Sequence, residues 1–151
     1  MTVEVKAAGV ADIIDMEYDQ LMEIEVDSPY VLTIYNLTEE EKILIYKITY
    51  AESGNQDIEG QRAVIEVILN RLQSEKFPNT VEEVLSQPGQ FSTWKKIKYI
   101  EHTEKQEEAL RLVSLEESIL DFDFLYFNGT PFARREYVQI QDHYFCKGRS
   151  K

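Results

Sequence analysis

The residues with the clearest potential for chemistry lie in one short stretch, residues 50–61 (YAESGNQDIEGQ). Glu52 stands at the end of a predicted helix, on the same face as Ile45 and Ile48. A carboxyl group among apolar neighbours has its charged form disfavoured, as a general acid at neutral pH requires. Cleavage of a glycosidic bond needs such an acid, because the leaving oxygen is protonated while positive charge develops on the sugar. A solvated or salt-bridged surface glutamate is the alternative interpretation of this position.

Two predicted helices flank this stretch. Thr38 and Glu41 have the spacing of a capping box, so the first helix begins there and runs to about residue 51, with Gly54 ending it. The second helix is predicted over residues 58–74. Apolar residues surround most of its circumference, which is typical of a buried central helix.

The rest of the chain continues the helical pattern and then changes. The turn at residues 87–90 leads into an aromatic stretch over residues 91–99. Thr103 and Gln106 form a second capping box, which predicts a helix to about residue 120.

A small antiparallel β-hairpin is predicted at the C-terminal end. Residues 122–127 alternate in the manner of a strand, residues 128–131 (NGTP) form a turn, and residues 137–145 read as the return strand. The fold class is therefore α+β and mainly helical, with a small antiparallel sheet.

Composition excludes several classes of function. The 151 residues carry a net charge of −12, and a surface of this sign repels phosphate backbones, which argues against nucleic-acid binding. No run of 18 apolar residues occurs, so no membrane insertion is expected. With one Cys and two His, a zinc site of His and Cys ligands is not expected, nor is any other cofactor. The size is that of one domain, and we expect a monomer.

The acidity is concentrated before residue 37. Residues 1–36 hold eight of the 28 acidic residues and one of the 16 basic residues. This shift predicts an acidic N-terminal extension at residues 1–36 and a main domain at residues 37–151. Within the extension, apolar residues between positions 10 and 24 suit an amphipathic helix, and residues 30–35 (YVLTIY) suit a strand. The start of the chain has no signal-peptide pattern.

A series of motifs in the main domain carries a family resemblance. They are residues 51–61 (AESGNQDIEGQ), 67–71 (VILNR), 77–80 (FPNT), 87–92 (QPGQFS), 125–127 (LYF) and 142–145 (DHYF). Their order and spacing resemble the cell wall hydrolase family of the spore-cortex-lytic enzymes (SleB/CwlJ type), over residues 37 to about 147. Many members carry a second acid where this chain has Asn55 and Gln56, and in this respect it is similar to clostridial or phage-like members.

The resemblance implies a fold, an activity and a catalytic residue. The implied fold is lysozyme-like, and the implied activity is cleavage of peptidoglycan glycan strands at the cell wall or spore cortex. Several members act as lytic transglycosylases on the β-1,4 bond between N-acetylmuramic acid and N-acetylglucosamine. The family's catalytic glutamate maps onto Glu52. Residues 37–151 would then be the catalytic domain.

Further residues are candidates for a substrate-binding cleft around Glu52. Glu59 is a possible second carboxylate, although charge compensation at a helix N-terminus explains it as well. Aromatic faces suit the apolar faces of sugars, and hydroxyl and amide groups can hydrogen-bond to them. The candidates for substrate binding are Phe91, Ser92, Trp94, Tyr126, Asn128 and His143.

Three other functions remain open. A hydrolytic muramidase would use water as the nucleophile and a second carboxylate as base. A non-catalytic wall-binding module would use the groove without a reaction. An amidase or peptidase of the peptide stems would use Cys146 with His143, but residues three apart on a strand project to opposite faces, so Cys146 is better explained as a small hydrophobic residue.

Overall fold

The computed structural model describes residues 3–4, 17 and 24–148 of the chain. Five α-helices, one 3₁₀ helix and five strands occur in this described part. In chain order they are β1 (Val3–Glu4), β2 (Ile24–Glu25), α1 (Val31–Tyr35), α2 (Glu39–Ser53), α3 (Ile58–Gln73), α4 (Val81–Ser86), the 3₁₀ helix (Ser92–Tyr99), α5 (Glu104–Leu115), β3 (Phe124–Asn128), β4 (Val138–Ile140) and β5 (His143–Lys147). The expected α+β class, mainly helical with a small antiparallel sheet, is confirmed. None of the described helices has the length and apolar character needed to cross a membrane.

Both predicted capping boxes are present. The Thr38 hydroxyl accepts the Glu41 amide at 3.1 Å, while the Glu41 carboxylate accepts the Thr38 amide at 3.0 Å. Thr103 and Gln106 form the same reciprocal arrangement at the start of α5. These local bonds satisfy amides that the first turn of a helix leaves without partners, and they place the starts of α2 and α5 where the sequence predicts them.

The central element of the fold is α3. All of its residues from Gly60 to Arg71 are buried, and α2, α4, α5 and β3 pack around it. The predicted buried central helix is therefore confirmed. Because α3 is enclosed, its polar side chains need hydrogen-bond partners inside the protein.

Glu66 of α3 holds the chain that follows α5. Its carboxylate accepts the amides of Ile119 at 3.0 Å and Leu120 at 2.9 Å. Burial raises the pKa of Glu66, against the opposing effects of these two amides and the Arg62 charge. The sequence predicts that α5 reaches about residue 120, and this prediction is wrong. The helix ends at Leu115, and the backbone at 119 and 120 donates to Glu66 instead of continuing the helical ladder.

The sheet has three strands where the sequence predicts a two-stranded hairpin. The strand order is β3-β5-β4, and both pairings are antiparallel. The predicted return strand over residues 137–145 is split into β4 and β5 by a turn in which Gln141 has a φ of 53°. The first strand begins at Phe124, not at Phe122, whose side chain is exposed.

The strand predicted over residues 30–35 is wrong, because this segment forms helix α1. Tyr30 and Ile34 are buried in the core, and the Tyr30 hydroxyl donates to Asn70 Oδ1 on α3 at 2.6 Å. The Ser28 hydroxyl donates to the Val113 carbonyl on α5. The segment just before the predicted boundary at residue 36 thus contacts the core of the main domain. The amphipathic helix predicted between residues 10 and 24 falls largely outside the described residues.

Replacing Glu66 tests how much its buried carboxylate stabilises the fold. Glu66→Ala leaves the amides of Ile119 and Leu120 without an acceptor, and each buried unsatisfied group costs about 1–3 kcal/mol. We expect the free energy of unfolding, measured in urea, to fall by about 3 kcal/mol. Glu66→Gln keeps Oε1, which accepts both amides, and should lose less. Equal losses in the two variants would contradict this role.

Candidate active site

Glu52 lies in the last turn of α2, where the apolar stripe of that helix meets solvent. Ile45 and Ile48 are fully buried, and Glu52 continues their face in a half-buried position. The Thr93 hydroxyl donates to Glu52 Oε1 at 2.9 Å. One carboxylate oxygen therefore has a fixed protein partner, and Thr93 Oγ1 holds the orientation of the carboxyl group.

The hydroxyl that contacts Glu52 belongs to Thr93, not to the neighbouring Ser92. Both residues lie at the start of the 3₁₀ helix, where the chain makes one turn in about three residues. Adjacent side chains therefore point in clearly different directions, and Ser92 is exposed. Ser92 remains a candidate for substrate contact, while Thr93 is a residue of the candidate site that sequence reasoning missed. The signal available for it was the pair of adjacent hydroxyls after the turn at residues 87–90.

His143 lies beside the last turn of α2, which carries Glu52. It begins β5, is 9% exposed, and lies edge-on to Phe127 with ring centroids 5.6 Å apart. Burial lowers the pKa of His143, although the charges of Glu52 and Asp142 and a hydrogen bond with the Glu52 backbone oppose this effect. His143 is therefore neutral at neutral pH, and it brings no positive charge to the site.

The loop after Glu52 is fastened to the β4–β5 turn. Gln56 Nε2 donates to Asp142 Oδ2 at 3.0 Å, and the Asp142 amide donates to Gln56 Oε1 at 2.9 Å. The Asp57 amide donates to Gln141 Oε1 at 2.6 Å. Gly60 allows this close approach, because a Cβ there would lie 2.9 Å from Gln141 Oε1. The contacts join residues more than 80 positions apart and place His143 beside Glu52.

Hydrogen bonds between buried glutamine residues connect the loop after Glu52 to α3 and α5. Gln61 Nε2 donates to the Gln56 carbonyl at 3.1 Å, and Gln106 Nε2 donates to Gln61 Oε1 at 3.0 Å. Lys105 Nζ also donates to the Gln56 carbonyl, at 2.5 Å. Gln106 serves the capping box of α5 as well, so the start of α5 and the loop after Glu52 are parts of one network.

The predicted aromatic candidates lie in different surroundings. Phe91 is buried at 4% exposure, with its ring centroid 5.8 Å from that of Phe127. Trp94 is half-buried and packs against the core. Tyr126 is half-buried with its ring beside Phe77 and the guanidinium of Arg71. Phe91 and Tyr126 thus both contact the guanidinium of Arg71, and Phe91 also packs against Phe127, which contacts His143.

The two remaining polar candidates are exposed. Asn128 ends β3, at the same end of the sheet as His143. Glu59 lies in the first turn of α3, where a carboxylate interacts favourably with the helix dipole. Their roles in binding or catalysis stay predictions.

Cys146 lies in surroundings that suppress thiol reactivity. It is 1% exposed, and burial raises the pKa of its thiol, with the Arg135 charge opposing this effect. A thiol of this kind is a poor nucleophile, since the thiolate is the reactive form. Within the described residues, no group of three or more His, Cys, Asp or Glu side chains is placed to hold a metal ion.

Comparisons with known proteins agree with the resemblance found in the sequence. A family model described as Cell Wall Hydrolase matches residues 55–146, a range that begins just after Glu52. A spore cortex-lytic enzyme of Oceanobacillus iheyensis is 34% identical over 116 residues, covering 69% of this chain and 40% of that protein. The chain thus spans about 40% of the length of that curated relative.

Two solved structures share the fold. The catalytic domain of the germination-specific lytic transglycosylase SleB from Bacillus anthracis aligns with a TM-score of 0.61 at 26% identity, covering 74% of this chain and 98% of that one. The catalytic domain of the Bacillus cereus SleB protein aligns with a TM-score of 0.60 at 27% identity, covering 82% of this chain and 98% of that one. The expected lysozyme-like fold is confirmed.

A double-mutant cycle tests the link between the two halves of the site. Gln56→Ala, Asp142→Ala and the double variant separate the side-chain hydrogen bond from other effects of each change. We expect a coupling free energy of about 1–2 kcal/mol in urea unfolding, because the bond is part-buried and its acceptor is charged. Additive effects of the two single changes would show that this bond does not join the loop to the sheet.

Proposed function

The chain belongs to the cell wall hydrolase family, and on this basis we propose that it cleaves the β-1,4 bond between N-acetylmuramic acid and N-acetylglucosamine as a lytic transglycosylase. The proposed partner is the glycan strand of peptidoglycan, in the spore cortex or the vegetative wall. Names of the similar proteins support this proposal, since one is a spore cortex-lytic enzyme and another a germination-specific lytic transglycosylase. We propose that the chain acts there as a monomer.

The observation that carries the proposal is a single half-buried carboxyl group, that of Glu52, whose orientation is held by a hydrogen bond from the protein. Glu52 is half-buried at a helix end, with Thr93 donating to one of its oxygens and neutral His143 beside it. Glu59, the other candidate, is exposed on the first turn of α3. One carboxyl group is sufficient for a lytic transglycosylase, because the attacking hydroxyl belongs to the substrate.

In the proposed reaction Glu52 first acts as an acid. Thr93 Oγ1 donates to Oε1, which leaves Oε2 to carry the proton towards the glycosidic oxygen. The bond to C1 of the muramic acid breaks as that carbon becomes oxocarbenium-like. A protonated histidine beside Glu52 would favour the carboxylate over the acid, so a neutral His143 suits this step.

Glu52 then acts as a base. As a carboxylate it removes the proton from the 6-hydroxyl of the muramic acid, and this oxygen attacks C1. The product is a 1,6-anhydro ring, and Glu52 returns to its neutral form. The Thr93 hydroxyl is able to donate to Oε1 in both forms of the carboxyl group, so the geometry is kept throughout the cycle.

A hydrolytic muramidase is the second candidate. Water would then attack C1, and a base separate from the acid would be needed. Glu59 is the residue we assign to that role. The cysteine-dependent amidase or peptidase receives less support, because it would depend on the buried thiol of Cys146. The non-catalytic wall-binding module is the remaining alternative.

Glu52→Gln tests the proposed acid while preserving the size of the side chain. Loss of a general acid–base group lowers rates by about 100- to 10,000-fold, so we expect release of fragments from purified peptidoglycan to fall at least 100-fold. Mass spectrometry of the fragments from the unchanged protein should find 1,6-anhydro-muramic ends. Lysis by Glu52→Gln at the parent rate would refute the proposal.

Glu59→Gln is the matched control for that experiment. It makes the same change in an exposed glutamate of the next helix, and a transglycosylase should retain its rate. Fragments heavier by one water, together with a loss of activity in Glu59→Gln, would establish the muramidase instead.

Thr93→Val tests the positioning of the carboxyl group. The change keeps the shape of the side chain and removes its hydroxyl, and a hydrogen bond to a charged group contributes about 1.5–3 kcal/mol. We expect kcat to fall by about 10- to 100-fold, with little change in KM. Thr93→Ser retains the hydroxyl and should restore most of the rate, whereas a merely structural role for Thr93 would leave both variants alike.

A further inference from the structure

A cavity lies at the end of the sheet remote from Glu52. It has a volume of about 610 Å³ and is formed by the start of β3, the end of β5 and the loop that leads into β4. Phe124 pairs with Lys147 at this end, whereas Asn128 and His143 lie at the other end, which faces Glu52. Four residue steps along a strand separate the two ends by about 13 Å.

Cationic side chains dominate this cavity in a strongly acidic protein. Its lining includes Arg134, Arg135 and Lys147, with Glu136 as the acidic member. Lys147 forms salt bridges with Asp121 and Asp123, whose carboxylate oxygens each lie 3.6 Å from its Nζ. The positive charge available to a ligand therefore comes from the two arginines.

The two arginines differ in how they are held. The Arg135 guanidinium lies over the rings of Tyr126 and Phe132, 5.3 and 6.0 Å from their centroids, and donates to the Lys147 carbonyl. Its position is thus set before any ligand binds. Arg134 has no hydrogen bond, ion pair or ring contact within residues 24–148, and its side chain is exposed.

A planar guanidinium that is fixed in place and a second one that is free to close form a suitable receptor for a carboxylate. Guanidinium groups bind carboxylates through two parallel hydrogen bonds. The ring of Tyr137, which lines the same cavity and is 44% exposed, offers an apolar surface for the chain next to such a carboxylate.

We propose that this cavity binds a carboxylate of the peptide stem attached to the muramic acid, an inference that rests on the proposed function. A glycan strand at Glu52 projects its stem peptides away from the sugar ring. The cavity lies one strand length along the same small sheet, within reach of a short peptide. Arg134 and Arg135 are then specificity-determining residues that recognise stem-bearing glycan.

Direct binding tests the inference without relying on catalysis. The full chain is titrated with a free stem peptide and with the same peptide amidated at its carboxylates, and amide resonances are followed by NMR. We expect the free peptide to change the amide chemical shifts of residues around the cavity. In Arg134→Gln the Kd should rise about tenfold, since one charge-assisted bidentate contact is lost. Equal binding of the amidated peptide would overturn the carboxylate assignment. Stronger binding of poly(glycerol phosphate) than of the peptide would assign the cavity to phosphate instead and overturn it as well.

Catalysis provides the second test, on soluble glycan strands with stems intact and with stems removed. Arg134→Gln should raise KM about tenfold on the stem-bearing strands and leave the stem-free strands unaffected, with kcat unchanged. Lys47→Gln is the matched control, because it removes one positive charge on α2, away from the cavity. An equal rise in KM on both substrates would contradict stem recognition. Failure of the proposed function is a different result, in which the unchanged protein cleaves neither substrate.

Discussion

A helix enclosed on every side must satisfy its polar side chains within the protein, and this constraint on α3 organises the rest of the structure. Glu66 accepts the amides at 119 and 120, and Asn70 Nδ2 donates to the carbonyls of Asp121 and Phe124. Arg71 Nε donates to the Leu125 carbonyl at 2.7 Å. Hydrogen bonds from the side chains of α3 therefore hold the segment between α5 and β3 against this helix. The cost of an unsatisfied polar group in the interior makes this path specific.

The same helix positions the site through its N-terminal end. Gln61 binds the loop that follows Glu52, and Gly60 leaves space for the β4–β5 turn. That turn carries Asp142 and His143 to the carboxyl-bearing end of α2. The geometry of the candidate site thus depends on two helices and a sheet that meet at one short loop, which is an arrangement with little freedom to relax.

Aromatic packing joins the sheet to α3 and extends to the candidate site and to the cationic cavity. Burial lowers the pKa of Arg71 to about 10, so it stays charged at neutral pH among the rings of Phe77, Phe91 and Tyr126. Phe127 contacts His143 near Glu52, while Tyr126 contacts Arg135 at the cationic cavity. Two neighbouring residues in the middle of β3 therefore contact both regions, Phe127 the proposed reaction site and Tyr126 the proposed stem-binding cavity.

Local sequence patterns, each spanning one helix or less, were sufficient to predict several features of the fold and of the candidate site. The capping boxes at Thr38 and Thr103, the buried circumference of α3 and the position of Glu52 on an apolar stripe are all local or periodic features. They follow from hydrogen bonds and side-chain spacing inside one element, so they can be predicted without knowledge of its neighbours.

Only the tertiary structure decided the features that depend on distant partners. Thr93 rather than Ser92 contacts Glu52 across 41 positions, and Glu66 ends α5 through amides more than 50 positions away. The segment at residues 30–35 forms a helix instead of a strand, and its Tyr30 hydroxyl bonds to Asn70 on α3. The predicted return strand is divided in two at Gln141 and Asp142, which bond to the loop after Glu52. In each case a polar group bonds to one particular partner far away in the sequence, and the identity of that partner depends on how the whole chain folds.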